Sequence, residues 1–258
     1  MLEVKEITKI YNPGTVSESR LFDKFSLSVP DGQFVSIVGS NGSGKTSLLN
    51  LICGSIPLDG GDICVGGESL HKLSEHQRYA RIGRVYQNPS LGTAPNLTML
   101  ENLSLADNKG KAFGLSFGVN RKRTDFYREQ LAALGLGLED KLGVKMGALS
   151  GGQRQAVALV MATLTPLEFL ILDEHTAALD PKTADVIMDL THRMVREKHL
   201  TAMMVTHNLR YAVTYGDRLL MFDGGQVVLD RAGAEKAATT AQELMSRFNP
   251  DRPAEGNA

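Results

Sequence analysis

The stretch from Phe34 to Ile52 constrains this chain more than any other. Phe34-Val35-Ser36-Ile37-Val38 is a nearly continuous, β-branched apolar run, which predicts a buried strand. It stops at Gly39-Ser40-Asn41-Gly42-Ser43-Gly44-Lys45-Thr46 and restarts at helical spacing with Leu48, Leu49, Leu51 and Ile52. A strand, a glycine-rich loop and a helix in that order fit a phosphate-binding loop. Glycines let successive backbone N–H groups turn toward phosphate oxygens, and the N-terminus of the following helix adds partial positive charge. On this reading Gly39 through Ser47 cradle a nucleotide, with Lys45 pairing the β and γ phosphates. The Thr46 hydroxyl coordinates Mg²⁺, which prefers oxygen ligands.

The surrounding pattern sets the fold class. Leu2 and Val4, then Phe25, Leu27 and Val29, alternate with polar residues as half-buried antiparallel strands do, with a turn at Asn12-Pro13-Gly14. Gly54 and Pro57 end the first helix, and Asp59-Gly60-Gly61-Asp62 leads into a short strand, Ile63 to Val65. From Leu91 to Leu149 no β-branched run appears, and short helical patterns such as Leu131, Leu134 and Leu138 are interrupted by glycines. The βα rhythm then returns with strand Phe169–Leu172, helix Pro181–Val195 and strand Ala202–Val205, which predicts a parallel sheet with right-handed crossovers. Arg218–Phe222 and Gln226–Leu229 join through Asp223-Gly224-Gly225 as a hairpin. The expected fold is α/β, a P-loop NTPase with a mostly parallel core sheet, an N-terminal antiparallel β subdomain and an α-helical subdomain inserted at about 91–160. One domain is expected over 1–230, and 231–258 as a short, alanine-rich tail, partly disordered from Asn249 on.

Composition narrows the class of partners. The 258 residues, 22% charged and 42% hydrophobic, can bury a real core, which excludes disorder, collagen and disulfide scaffolds. The longest apolar run, Ala156 to Ala162, has seven residues, whereas a membrane-spanning helix takes about 20. Glu3, Lys5, Glu6 and Lys9 leave no room for a secretory h-region, so a cytosolic chain is expected. With 28 basic and 29 acidic residues, bulk charge gives no pull toward nucleic acid. Cys53 and Cys64 sit among apolar neighbours and are expected buried and reduced.

Two further segments carry chemistry. Leu170-Ile171-Leu172-Asp173-Glu174 is a buried strand ending in two carboxylates, at the kind of strand end where ligands gather in parallel sheets. Asp173 would hold the Mg²⁺ water shell and Glu174 would orient and deprotonate an attacking water. The plain alternative is an acidic helix cap, a role that Asp180-Pro181 fits better. Leu149-Ser150-Gly151-Gly152-Gln153 is the most diagnostic segment, expected by chance in roughly one such chain in three thousand. Ser150 alone reads as an N-cap, but two adjacent glycines at a helix start suggest close approach of an anion.

The loop Gly39–Thr46, the Leu149–Gln153 signature, Asp173-Glu174, Ala178-Leu179-Asp180 and Thr206-His207, in this order, resemble the nucleotide-binding subunit of an ABC transporter over roughly residues 1–230. The resemblance implies that Tyr11 stacks on adenine, though it also reads as a turn aromatic. It implies that Gln87, otherwise an exposed polar residue, contacts Mg²⁺ and water and senses a membrane subunit. It gives Asp180 communication across a dimer, and His207, otherwise an ordinary strand-end histidine, contact with the γ-phosphate. Two copies are implied to face head to tail, as a homodimer or pseudo-dimer. ATP on one loop is then completed by Ser150, Gly151, Gly152 and Gln153 of the other copy. Polytopic permease subunits, an external substrate-binding protein and a place on the cytoplasmic face of the plasma membrane follow from the same resemblance.

Two departures stand out. His175 follows Glu174 where the family usually has proline, and reads either as a phosphate or partner contact or as a tolerated substitution. Asn108–Thr124 carries Lys109, Lys111, Arg121, Lys122 and Arg123 with no acidic residue, either a solvated loop or a contact with anionic lipid or a membrane subunit. Val85–Pro95 is similar to ATPases of a bacterial importer group linked to tryptophan, tyrosine or related amino acids. The competing readings are a soluble ABC-type ATPase acting on ribosomes, DNA or Fe–S assembly, and the ATPase of an exporter or lipoprotein-release system. A GTP switch lacks its Asn-Lys-x-Asp motif.

Overall fold

The structure, a computed structural model, describes residues 1–111 and 118–248. It divides into two compact units, residues 1–72 with those from 201 onward, and residues 73–200. The first unit begins with β1 (Leu2–Tyr11), β2 (Ser19–Val29), β3 (Phe34–Gly39), α1 (Lys45–Cys53), β4 (Gly60–Val65) and β5 (Glu68–Ser69). The second runs α2 (Glu75–Tyr79), β6 (Ile82–Val85), α3 (Met99–Asp107), α4 (Thr124–Ala132), α5 (Gly151–Ala162), β7 (Phe169–Asp173) and α6 (Pro181–Glu197). The chain returns to the first with β8 (Ala202–Val205), α7 (Leu209–Thr214), β9 (Arg218–Asp223), β10 (Gln226–Ala232), α8 (Gly233–Ala237) and α9 (Ala241–Phe248).

In the first unit, β1 lies between β2 and β4, antiparallel to both, with Val4 opposite Leu27 and Ile63. The alternation read from Leu2, Val4, Phe25, Leu27 and Val29 is the buried face of this sheet. β3 pairs in parallel with β8 and β9, in the order β10-β9-β3-β8. All six β3 residues are buried, as the continuous apolar run requires of a central parallel strand. The β9–β10 hairpin forms through Asp223–Gly225. The segment expected as a tail is folded through Phe248: Leu244 of α9 is fully buried with Val38, Ala212, Leu219, Met221 and Leu229. The expected disorder of 249–258 lies outside the described residues.

In the second unit, β6 pairs in parallel with β7, Arg84 opposite Ile171. β6 shows no strand pattern in the sequence, because Gly83 and Arg84 break its apolar run. A Cβ at Gly83 would lie 2.8 Å from Ala162 O, so the tertiary approach of α5 dictates that glycine. The helical core gathers Met99, Leu103, Tyr127, Leu131, Leu138, Val157, Val160, Ile187 and Leu190. Buried Tyr127 donates to Asp107 at 2.9 Å, and Asp107 is charge-balanced by Arg123 at 2.6 Å and Lys111 at 3.8 Å. Lys109 donates to Ile82 O at 2.9 Å. Three of the five basic residues in the 108–124 segment are thereby engaged within the fold. These elements make the α/β class read from the sequence: a mostly parallel core sheet, an N-terminal antiparallel sheet and a helical insertion.

Candidate nucleotide site

The loop Gly39–Thr46 joins β3 to α1, and Gly44 caps the helix in the left-handed region at φ +106° with no side-chain cap bond. The first-turn N–H groups are therefore donors for an anion. Lys45 is 5% exposed, and its ammonium donates to Gly39 O and Ser40 O, both at 2.8 Å, and to Ser43 Oγ at 3.4 Å. The loop thus curls around its own cation. Gly39 admits this curl, since a Cβ there would overlap Phe222 O and lie 2.6 Å from Ser43 Oγ. Thr46 next to it is exposed.

The remaining residues read for the first unit converge on this loop. Tyr11, at the end of β1, donates its hydroxyl to Ser47 Oγ at 3.0 Å, tying the ring to the first turn of α1. The Lys9 ammonium lies 5.6 Å from the ring centroid and is itself paired with Asp59 at 3.1 Å. His207 is exposed on the turn after β8, where Asn208 caps α7 by accepting from Tyr211 N. It shares a cavity of about 330 Å³ with Gly39, Ser40 and Asn41. Met245 and Phe248 of α9 complete that cavity's wall, a contribution that no sequence motif announced.

The second unit holds the other candidates. Asp173 ends β7 and meets Arg84 Nη2 at 2.7 Å. Glu174 follows with φ +48°, a left-handed conformation that non-glycine residues seldom adopt and that concentrates at functional positions. Gln87 is exposed just past β6, after Tyr86, whose carbonyl accepts from Gln155 at 3.1 Å. Ser150 caps α5 in a reciprocal box with Gln153, each bond 3.2 Å. Asp180 caps α6 by accepting from Thr183 N at 3.1 Å, and its bonds to the Thr183 hydroxyl and N–H hold its carboxyl below the usual range. Gly152 owes its identity to packing within the chain, because a Cβ there would overlap Thr183 Cγ2. Ser150 and Gly151 stay exposed.

His175 is not a phosphate contact here. It is 2% exposed, with Nε2 3.0 Å from Thr191 Oγ1. Thr191 spends its proton on Ile187 O at 2.7 Å, so the ring nitrogen is the donor. Burial pushes the His175 pKa down to about 4. The unfolded chain takes up this proton near the ordinary histidine pKa. The sign follows: the neutral native ring costs nothing above about pH 6.5, and stability is lost as pH falls from there toward 4. Between pH 7.5 and pH 5 the wild type is expected to lose about 2 kcal/mol more unfolding free energy than His175→Gln. Urea titrations at both pH values check this, and equal pH dependence of the two proteins contradicts it.

The hydroxyl of Thr46, the amide oxygen of Gln87 and the carboxylate of Asp173 are hard oxygen donors that suit Mg²⁺. Among the described residues no group of three or more His, Cys, Asp and Glu could hold a metal unaided. Each of the three is singly a ligand of the kind Mg²⁺ takes beside phosphate oxygens.

A buried parallel strand, a phosphate loop closed around its own lysine and a second strand ending in Asp-Glu define a P-loop ATPase. The ABC transporter profile matches residues 22–177. The chain is 44% identical to the tyrosine transport ATP-binding protein of Clostridioides difficile, covering 96% of this chain and 98% of that one. It is 32% identical to the lipoprotein-releasing system ATP-binding protein LolD 1 of Caulobacter vibrioides, covering 87% and 93%. A solved ATP-binding cassette, dimeric in a post-hydrolysis state with ADP and Pi, superposes with a TM-score of 0.75 at 30% identity, covering 90% of this chain and 98% of that one. The chain belongs to the ABC transporter family and is the ATP-binding, ATP-hydrolysing subunit of a transporter.

Proposed function

We propose that this subunit powers a bacterial importer of tyrosine or a related small amino acid, by ATP-driven closure and opening of a head-to-tail dimer. The observation that carries the substrate class is the 44% identity to a tyrosine transport protein over nearly the full length of both chains, against 32% to the lipoprotein-releasing relative. In this reading Tyr11 carries the adenine, Gly39–Ser47 and Lys45 the phosphates, and Thr46, Gln87 and Asp173 the Mg²⁺ with its water shell. Bound there, Mg²⁺ neutralises phosphate charge. Glu174 accepts the proton of the attacking water and His207 contacts the γ-phosphate. Ser150, Gly151, Gly152 and Gln153 of a second copy complete the site, with Asp180 linking the two. Loss of the γ-phosphate removes the bridging contacts, a ligand-biased interface of a general kind.

No described helix is long and apolar enough to cross a membrane, so the proposal requires separate permease subunits, docked from the cytoplasmic face, and an external substrate-binding protein. A groove of about 560 Å³ in the second unit supports a docking role. It is lined in part by Tyr79, Tyr86, Leu91 and Leu105, with Leu91 70% exposed. Exposed apolar surface of this kind marks interaction sites. The test is purification of the tagged chain from detergent-solubilised membranes, with co-purifying proteins identified by mass spectrometry. A stoichiometric polytopic membrane protein is expected. Ribosomal, DNA-repair or Fe–S assembly proteins in its place would remove the transport reading and leave the ATPase.

A further inference from the structure

Arg84 occupies the middle of β6, opposite Ile171 of β7, where a parallel strand ordinarily carries an aliphatic residue. Its side chain is 6% exposed and that of Asp173 is 14% exposed, and the two meet at 2.7 Å from Nη2 to Oδ2. The same guanidinium lies 4.7 Å from the centroid of the Tyr86 ring, one residue before Gln87. Such a pair loses in desolvation much of what it gains in attraction, and an apolar pair of similar volume often serves stability as well. Stability alone therefore gives weak reason for an arginine here. The pair does place a permanent cation on one particular carboxylate.

We propose that Arg84 is a positioning residue that serves as the counter-ion of Asp173 in the absence of Mg²⁺, and so sets how strongly ATP binding depends on the metal. The proposal rests on the reading of Asp173 as the carboxylate that faces Mg²⁺. On that reading, Asp173 without a counter-ion repels the phosphates of the nucleotide. Arg84 offsets that repulsion without metal, and Mg²⁺ offsets it when present. Removing Arg84 takes that offset away from metal-free ATP, whereas MgATP keeps the one its metal supplies, so affinity for metal-free ATP falls further than affinity for MgATP.

The experiment is equilibrium dialysis of labelled ATP against the full chain, in excess EDTA and in excess Mg²⁺. For Arg84→Met the ratio of the EDTA Kd to the Mg²⁺ Kd is expected to rise about tenfold over wild type, the size of one charge-assisted hydrogen bond. Arg84→Lys keeps the charge but not the planar fork over Tyr86, and is expected to raise the ratio less than Arg84→Met does. A general loosening of β6 weakens both constants together, so an unchanged or lowered ratio overturns the proposal. Arg84→Gln replaces the methionine variant, with the same expectation, should that one not fold. Asp173→Asn, measured alongside, is expected to lower the ratio. If it leaves the ratio unchanged, the metal reading of Asp173 fails. If it lowers the ratio while Arg84→Met does not raise it, the role of Arg84 alone fails.

Discussion

Glu174→Gln is expected to bind ATP as the wild type does and to hydrolyse it about 10²–10⁴-fold more slowly, the usual contribution of a positioned general base. The substitution preserves size and removes only the ability to accept a proton. Glu174 sits at φ +48°, and glutamine pays the same backbone strain there, so folding stability is expected to stay within about 0.5 kcal/mol. The strain itself argues for the role. A residue held in a sparsely populated conformation persists because its surroundings enforce it, and β7 and the turn closed by Ala177 N donating to Glu174 O at 2.9 Å provide that enforcement. Single-turnover phosphate release measures the chemical step, and size-exclusion chromatography with MgATP reads the trapped dimer. Release within a few-fold of wild type removes Glu174 as the base. Slow release without an ATP-dependent dimer keeps the base and removes the proposed dimer cycle.

What the sequence made legible was local. Phe34–Ile52 announces a strand, a loop and a helix because all three are written by neighbouring residues, and β3, the loop and α1 form there. The alternation in β1 and β2 and the glycine hairpin before β10 are local in the same way. The features missed are those whose reason lies elsewhere in the chain. β6 carries Gly83 because Ala162 O approaches it, and Arg84 because Asp173 lies on the neighbouring strand. Gly152 has a packing reason that its own segment does not show, since a Cβ there would overlap Thr183 Cγ2. α9 reads as part of a short tail because the segment is polar and alanine-rich, and the packing of Leu244 and Phe248 on the core of the first unit is a tertiary event. His175, a departure from the family pattern, turns out to be a neutral core donor to Thr191.

Lys45→Met separates binding from turnover. Its ammonium is already held by Gly39 O and Ser40 O at 2.8 Å, so the loop presents a fixed cation before any phosphate arrives, and little ordering is left to be lost on binding. Hydrogen bonds to charged groups contribute about 1.5–3 kcal/mol each. On the proposed assignment Lys45 serves two phosphates, so its removal is expected to weaken MgATP binding by at least about 100-fold. Methionine matches the stem in length and polarity, and the loop lies at the unit's surface beside exposed Asn41 and Thr46. A melting temperature within about 4 °C of wild type is expected. Lys45→Arg is not expected to rescue binding, because a planar fork does not fit where a compact charge is 5% exposed between loop carbonyls. Equilibrium dialysis with labelled ATP and thermal unfolding give the two readouts. MgATP binding within tenfold of wild type in Lys45→Met would mean that backbone N–H groups and the α1 terminus hold the phosphates by themselves. A lost affinity with an intact fold, set beside the retained affinity expected of Glu174→Gln, assigns binding to the loop and proton transfer to the end of β7.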